Sequence, residues 1–397
     1  MAKSQLMDRN NNFAILTAGI ISLILGIGVA RFAFTSLLPP MLEDFLDITS
    51  TGILASVNFV GYLSGAIFAI FIQDINTKVK YFRIGMVLSV LTTIVLGLSD
   101  NQTLWMIARL IAGFGTAMGM VVGSAIVMTK LDMEDKTKAM GIHFSGIGIA
   151  ILITDLISKG VLSLGFDWRI SWLVLSVVGI FMAAYAIYIL SFDHHIKQGA
   201  AKHRFDITIF TPFVIILTIA YFTEGVGFVV QATFLPNIID TIPGLEGWGS
   251  RTWTMVGLAG IPSCIIWMRM AHRFGSIKVI ILAMSLQVVG ILLPTMTNNI
   301  YLILLSGLLY GGTFVGLVAL FLNLGGKIAA HNPVVLMGAF TTAYGIGQVS
   351  APLYSVALVN YTGNYDYALY LTALIVMGGV GLLLFGRRYS QAAAQES

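Results

Sequence analysis

Twelve long apolar stretches constrain what this chain can fold into more than any other feature. A helix needs about 20 predominantly apolar residues to cross the hydrocarbon core of a bilayer, and the sequence supplies such stretches with mostly short polar connections. Lipid leaves exposed backbone polar groups unsatisfied, so we expect an all-α integral membrane protein. The predicted spans are residues 13–38, 52–72, 84–99, 104–128, 139–158, 170–192, 207–235, 253–271, 279–296, 300–322, 334–359 and 367–386.

The amino-acid composition also indicates that most of the chain is embedded in lipid. Of the 397 residues, 57% are hydrophobic and 10% are charged, whereas soluble domains carry roughly 25% charged residues. The single cysteine cannot form a disulfide within the chain. Metalloprotease, serine-hydrolase, C-x-x-C and phosphate-loop patterns do not occur in the sequence. We therefore expect neither an enzyme nor a cofactor or metal site, and we do not expect ATP to be the energy source.

The positions of lysine and arginine predict the orientation. If the amino terminus is cytoplasmic, all but five of the 22 basic residues fall in cytoplasmic segments. Of those five, Lys159, Arg169 and Arg251 fall outside, while Arg31 and Arg109 lie within spans. Because cytoplasmic loops carry an excess of lysine and arginine, we expect a multi-pass protein of the bacterial inner membrane with both termini in the cytoplasm. This orientation explains why the chain has more basic than acidic residues, so nucleic acid is not an expected partner.

A polar segment at residues 193–206 divides the spans into six and six. We predict an amino-terminal bundle at 1–192, a cytoplasmic linker at 193–206 and a carboxy-terminal bundle at 207–397. Three glycine-containing motifs recur in the same order at an offset near 199 residues, namely 26–28 and 225–227, 115–119 and 312–316, and 140–148 and 337–347. Parallel repeats of this kind place a solute site at their interface and predict two pseudo-symmetric six-helix bundles. The simpler interpretation is that the glycines only let helices pack closely.

Several motifs resemble the major facilitator superfamily (MFS) over essentially the whole chain. Residues 109–115, RLIAGFG, are similar to its fourth-helix R-x-x-x-G-x-G pattern, and residues 167–172, DWRISW, are similar to its entry to helix 6. The resemblance implies the MFS fold, alternating access by rocking of the two halves, and a cavity lined by spans 1, 4, 7 and 10. It also implies a role in proton coupling for Arg109.

Two loops depart from the superfamily's G-x-x-x-D-R-x-G-R-R pattern. The loop after span 2 keeps Asp74 but lacks the glycine and the arginine, and the loop after span 8 has His272 in place of the aspartate. Residues 31–39, 232–236 and 344–352 are similar to a little-characterised bacterial branch of permeases without an established substrate. The resemblance therefore implies transport and leaves the solute open.

Two arginines within spans are the first candidate site residues, because an ionisable side chain deep in lipid is costly and usually functional. Arg31 has Gly28 and Thr35 as helical neighbours, which suggests that it faces a cavity. Its planar guanidinium is suited to hold an anionic group of a solute. The alternatives are a structural ion pair for Arg31 and, for Arg109, packing between helices with bonds to backbone carbonyls.

Glu224 is the only carboxylate that lies clearly in the middle of a predicted span. An apolar environment favours its protonated form and a nearby arginine favours its charged form, so the group could exchange a proton as access alternates. Spans 1 and 7 are pseudo-equivalent, and we therefore expect Arg31 to approach Glu224. The alternative is a permanent pair between the two that locks the halves together.

The remaining candidates are polar or aromatic side chains within spans. The predicted substrate-binding residues are Arg31, Arg109, Tyr221, Phe228, Gln231, Tyr310 and Gln348. Each of the uncharged ones could equally pack against, or bond to, a neighbouring helix. Asp155 and Lys159, four residues apart, are interpreted as a solvated pair, and His143 as a packing histidine.

The function that these residues favour is secondary active transport of a small organic anion by alternating access, coupled to protons. In this hypothesis Arg31 holds the anion and Glu224 carries the proton, and the protein works as a monomer in the bilayer. The second hypothesis is a proton-driven exporter of amphipathic compounds or drugs. A membrane sensor or an embedded enzyme is disfavoured, because the longest loop has about 14 residues and leaves no room for an output domain.

Overall fold

A computed structural model describes residues 11–72, 74–132, 136–191, 210–328 and 333–393. Within these residues the chain forms twelve membrane-length helices and no strand. The first six are α1 Asn12–Asp44, α2 Ile48–Phe71, α3 Ile75–Leu98, α4 Gln102–Lys130, α5 Lys136–Ser163 and α6 Trp168–Ile189. The last six are α7 Pro212–Asp240, α8 Trp248–Phe274, α9 Ser276–Met296, α10 Ile300–Ile328, α11 Pro333–Thr362 and α12 Asp366–Ala393. The predicted all-α membrane fold is confirmed.

Eleven of the described helices are both long and apolar enough to cross a membrane. The twelfth, α11, has 30 residues, and its apolar stretch is interrupted by Thr341, Thr342 and Gln348. Its length still exceeds the roughly 20 residues that a span requires. Polar side chains within a span are tolerated where they face other helices, so α11 is interpreted as a span like the other eleven.

Helix α3 begins well before its predicted boundary at residue 84, because basic residues in its first turns broke the apolar pattern. The long stems of Lys78, Lys80 and Arg83 can lie along the helix while their charges reach the membrane surface. Asp74 starts the helix, since its carboxylate accepts hydrogen bonds from the backbone N–H and the hydroxyl of Thr77 at 2.7 and 2.9 Å. These bonds lower the pKa of the Asp74 carboxyl below its ordinary value.

The Asp74 cap leads to a prediction on acid stability. Because the folded state lowers this pKa, the cap stabilises the protein above the ordinary carboxyl pKa of 3.8, and the contribution is lost as pH falls through the lower folded value. We expect Asp74→Asn, which keeps a capping oxygen, to match the parent at neutral pH and to lose this acid-dependent part. Asp74→Ala is expected to be less stable at both pH values. Thermal unfolding in detergent against pH measures the effect, and an Ala variant as stable as the parent would contradict it.

The chain divides into two compact units, residues 1–201 and 202–397, and the same helix pairs pack in each. In the first unit α1 packs against α5, α2 against α4, and α3 against both α4 and α6. In the second unit the pairs are α7 with α11, α8 with α10, and α9 with α10 and α12. The pairing repeats with a shift of six helices, which agrees with the predicted pseudo-symmetric bundles. The predicted linker at 193–206 lies outside the described residues.

Basic side chains hold one end of the first unit together. Arg83 of α3 donates through Nε and Nη2 to the Ser191 hydroxyl at 3.2 and 2.6 Å. Lys130 at the end of α4 donates to the carbonyl oxygens of Ile189 and Ser191 at 2.8 and 2.7 Å. The Ile189 carbonyl belongs to the last turn of α6 and that of Ser191 lies just beyond it, where the helix dipole attracts cations. Helices α3, α4 and α6 are thus joined at this end by cations rather than by apolar contact alone.

The α2–α4 crossing depends on two glycines at closest approach. A Cβ atom on Gly61 would lie 1.9 Å from the Leu110 carbonyl oxygen, and one on Gly113 would lie 1.9 Å from the Asn58 carbonyl oxygen. Small residues at such crossings let backbones pack directly in lipid. The α8–α10 crossing of the second unit repeats this arrangement, since a Cβ atom on Gly311 would lie 2.2 Å from the Val256 carbonyl oxygen.

Alanine at Gly113 is therefore expected to separate α2 from α4 and to destabilise the protein by about 1–3 kcal/mol, the usual cost of overpacking. The matched control is Gly160→Ala in α5, because nothing lies within 4 Å of an added Cβ there. That control is expected to be neutral or slightly stabilising. The thermal unfolding midpoint in detergent checks both variants, and equal midpoints would refute the crossing as a tight contact.

Candidate functional site

A π-helical segment in the middle of α1 carries the first candidate. Residues Ile24–Phe32 form this segment and include Arg31. Two of its carbonyl oxygens accept bonds from α4: that of Gly26 from the Thr116 hydroxyl at 2.6 Å, and that of Ala30 from Arg109 Nη1 at 3.1 Å. π-Helical turns inside α-helices are frequent at functional sites. Helix α4 has one as well, Met118–Val122.

Arg31 is buried among aromatic rings of the first unit, with 7% of its surface exposed. Its guanidinium carbon lies 4.1 Å from the centre of the Phe59 ring and 5.4 Å from that of Tyr62, both on α2. A cation over an aromatic face is attracted by the ring quadrupole, and the attraction grows when water is excluded. The Phe59 and Tyr62 rings therefore contribute to holding the Arg31 guanidinium in place.

Arg109 is also buried, with 2% of its surface exposed, and lies over the Phe34 ring at 4.5 Å. The sequence-based alternative, a bond to a backbone carbonyl, holds for Nη1 and the Ala30 oxygen. It does not account for the whole group, since Nε has no hydrogen-bond partner among the described residues. No carboxylate in that part of the chain interacts with Arg109, whereas the charge of Arg31 does, repulsively. The first unit thus holds two like charges close together in an apolar setting.

In the second unit, Glu224 lies on α7 and is fully buried. Its Oε1 accepts a hydrogen bond of 3.1 Å from Gln287 Nε2 on α9. The other carboxyl oxygen, Oε2, and the amide oxygen of Gln287 have no partner in the described part of the chain. The predicted approach of Arg31 to Glu224 concerns two units that are described separately, and it stays a prediction.

An aromatic cluster surrounds the candidate residues of the second unit. The Tyr221 ring stacks on Phe321 at 4.5 Å and on Tyr344 at 4.6 Å. Phe228 lies 6.0 Å from Tyr344 and stacks at 6.4 Å on Tyr310, and the Tyr310 hydroxyl donates to the Phe228 carbonyl at 2.6 Å. The structure therefore brings three predicted residues, Tyr221, Phe228 and Tyr310, into one cluster built from α7, α10 and α11.

The two predicted glutamines are buried with one amide oxygen each lacking a partner in the described residues. Gln231 on α7 donates to the Gly290 carbonyl of α9 at 3.3 Å, so it joins two helices. The same carbonyl accepts a bond from the Ser306 hydroxyl at 2.6 Å. Gln348 lies on α11. The Gln231 amide therefore uses only part of its hydrogen-bonding capacity in joining α7 to α9.

Two weaker candidates differ in outcome. The interpretation of Asp155 as part of a solvated pair is wrong, because its carboxylate is 1% exposed. It accepts bonds from Lys159 and from the Ser36 hydroxyl of α1 at 3.3 Å, so it ties α5 to α1 inside the first unit. His143 is fully buried and bonds to the Ser124 hydroxyl through Nε2 at 2.8 Å, which agrees with a packing histidine.

Sequence reasoning missed two residues that define the environment of the candidates. Gln287 bonds to Glu224, and a signal existed, since a glutamine inside the otherwise apolar span 9 needs a polar partner. Phe59 lies under the Arg31 guanidinium, and no signal distinguished it from the other phenylalanines, of which the chain has 24.

Comparison with known proteins identifies the family. Residues 23–384 match the family model described as "Uncharacterised MFS-type transporter YbfB". The chain belongs to this family of MFS transporters. The chain is therefore a multi-pass membrane protein of the transporter type, and the predicted superfamily is confirmed.

Relatives of this MFS transporter are similar at low identity. The multidrug efflux pump SdrM of Staphylococcus aureus (strain N315) is 25% identical over 218 residues, which are 53% of this chain and 47% of the relative. Multidrug resistance protein 2 of Bacillus subtilis (strain 168) is 22% identical over 201 residues, which are 49% and 48% of the two chains. The chain thus spans about half the length of the relatives it matches.

A solved structure agrees with the fold. A mutant of the nucleoside transporter NupG superposes with a TM-score of 0.73, covering 94% of this chain and 99% of the other, at 13% sequence identity. At that identity the likeness establishes the MFS fold and carries no statement about the solute.

Proposed function

We propose that this MFS transporter takes up a small organic anion and that its movement is coupled to protons. The observation that carries the proposal is the pair of buried arginines, Arg31 and Arg109, in the first unit. Burial of the Arg109 charge in an apolar setting, beside a second charge of the same sign, is unfavourable unless an anion neutralises it. Among the described residues, no carboxylate does this for Arg109. An anionic group of the solute is the counter-charge that the proposal supplies.

The proposed roles follow from donor geometry and burial. Arg31 binds the anion through its planar donor fork while Phe59 and Tyr62 hold the guanidinium. Arg109 contributes its second charge and its Nε–H, while its Nη1 remains bound to α1. In the second unit, the proposed substrate-binding residues are Tyr221, Phe228, Tyr310, Gln231 and Gln348. Glu224 carries the proton, and alternating access at the bacterial inner membrane completes the cycle, with both termini in the cytoplasm.

The experiment is a binding screen followed by transport. Purified protein in detergent is heated with panels of monocarboxylates, dicarboxylates, sulfonates, phosphate esters and amphipathic cations, and the compounds that raise its unfolding midpoint are selected. Proteoliposomes with an imposed pH gradient are then tested for accumulation of those compounds. The proposal expects anions to be selected and accumulated. Selection of cations only, or accumulation that ignores the gradient, would refute it.

Export of amphipathic compounds is the second candidate, and a specific observation favours it. The two relatives described above carry names of multidrug proteins, and the aromatic cluster around Tyr221 and Phe228 offers apolar ring faces. Cells that overproduce the chain would then resist a broad panel of toxic compounds. A narrow set of anionic compounds in the binding screen would argue for uptake instead.

A further inference from the structure

The hydrogen-bond inventory around Glu224 contains more acceptors than donors. Its Oε1 accepts from Gln287 Nε2 at 3.1 Å. Glu224 Oε2 and Gln287 Oε1 are buried oxygens without a partner in the described residues. An ionised carboxylate only accepts hydrogen bonds, and an amide oxygen only accepts them. Each of these two buried acceptors would then carry the full free-energy cost of desolvation.

A single proton removes this mismatch. If Glu224 is protonated on Oε2, its O–H can donate to Gln287 Oε1 while Gln287 Nε2 donates to Glu224 Oε1. A carboxylic acid and a primary amide are both planar and present one donor and one acceptor side by side. The protonated carboxyl of Glu224 and the amide of Gln287 then form a closed ring of two hydrogen bonds. In this ring both buried groups have partners.

The described residues of the second unit supply no charge that would favour the ionised form of Glu224. Helices α8, α9, α10, α11 and α12 pack against α7, and in the described residues none brings a charged group into electrostatic interaction with the carboxyl. The titratable side chains of the adjoining aromatic cluster are phenols, Tyr221 on α7 itself, Tyr310 on α10 and Tyr344 on α11. Tyr310 donates to the Phe228 carbonyl. The neighbouring α9 contributes the uncharged amide of Gln287.

We infer that Gln287 is the positioning residue for the proton carrier: it holds protonated Glu224 in a reciprocal two-bond ring that joins α7 to α9. The inference rests on the proposed function, since it specifies how the proposed carrier stores its proton. On deprotonation the Glu224 carboxylate faces Gln287 Oε1 with a second acceptor, so one bond of the ring is lost and the α7–α9 contact weakens. Proton release is thereby linked to the packing of two helices of the second unit.

The test is infrared difference spectroscopy of the purified full chain between acidic and alkaline buffers. Protonated carboxyl groups give a carbonyl stretch, and the component from Glu224 is assigned by its loss in Glu224→Gln. A carbonyl that accepts a hydrogen bond stretches at lower frequency than a free one. Gln287→Met, nearly the same size without an amide, is expected to shift this band to higher frequency. Gln287→Leu is the second variant, and Gln231→Leu, which removes a buried amide not bonded to Glu224, is expected to leave the band in place.

The outcomes separate this inference from the proposed function. An unshifted band in both Gln287 variants would overturn the ring while leaving Glu224 as a carrier. A band that disappears at constant pH when sodium replaces choline would also overturn it, because the acceptors would then bind a metal cation. Undiminished pH-driven uptake by Glu224→Gln would instead remove the proposed proton role itself.

Discussion

Glutamine at position 224 is expected to abolish uptake driven by a pH gradient, because an amide cannot release a proton. The substitution keeps the size of the side chain and its acceptor for Gln287, so solute exchange without a gradient is expected to continue. Groups that transfer protons typically contribute about 100-fold or more to the rate of the step they serve. We therefore expect gradient-driven uptake in proteoliposomes to fall at least about 100-fold, with solute counterflow retained.

The matched control is Glu246→Gln, in the loop between α7 and α8. Glu246 is exposed, and hydrogen bonds from its own backbone N–H and that of Gly244 lower the pKa of its carboxyl. It is therefore ionised at neutral pH and has no reason to take part in coupling. Equal losses in the two variants would show a general effect of removing a carboxylate, and they would remove the specific role of Glu224.

The second large effect is expected at the two buried arginines. Arg31→Gln and Arg109→Gln are expected to weaken binding of the anionic solute, because each leaves the anion with one guanidinium instead of two. Truncating one partner of a buried charge pair costs about 2–5 kcal/mol, which corresponds to roughly 30- to 5,000-fold in affinity. Lysine is expected to restore part of the loss, since it keeps the charge but not the planar fork.

Calorimetric titration with a compound from the binding screen measures these affinities. Arg251→Gln is the control, because Arg251 is exposed at the start of α8 and lies over the Trp248 ring. The same arginine variants are also titrated with amphipathic cations. If the protein binds such cations, removal of a buried positive charge is expected to strengthen their binding. Stronger cation binding together with unchanged anion binding would favour the exporter and contradict the anion site.

The helices and the repeat could be predicted from the sequence, because apolar stretches indicate the helices and recurring glycine motifs indicate the repeat. Length and apolarity are sufficient to recognise a span in lipid, and each of the twelve predicted spans overlaps one helix of the described residues. The predicted start of α3 lay too far along the chain, because Lys78, Lys80 and Arg83 are residues typical of a polar loop. Their long apolar stems nevertheless fit the end of a membrane helix. The shift of six in helix pairing was already visible in the recurring glycine motifs.

The contacts of the candidate site could be predicted only in part. The free-energy cost of burying an ionisable side chain marks that residue, but it does not identify the residue that bonds to it. The free-energy cost of burying an ionisable group in lipid correctly marked Arg31, Arg109 and Glu224 as buried residues of special interest. The partners of these residues come from other helices, and nothing in the order of the chain pairs Glu224 with Gln287 or Arg31 with Phe59. Asp155 shows the opposite error: its i+4 lysine suggested exposure, whereas α1 covers the carboxylate.

The widened turn in α1 has a consequence for how Arg31 is aimed. A π-helical turn contains one residue more than the α-helical turn it replaces, and one residue corresponds to about 100° of rotation around the axis. If segment Ile24–Phe32 closed to α-helical geometry, the part of α1 on one side of it would turn relative to the other by about that angle. The direction of the Arg31 side chain is therefore set jointly by its own helix and by the bonds that Thr116 and Arg109 make to that segment. A movement of α4 that closed this segment would therefore turn the Arg31 side chain about the axis of α1.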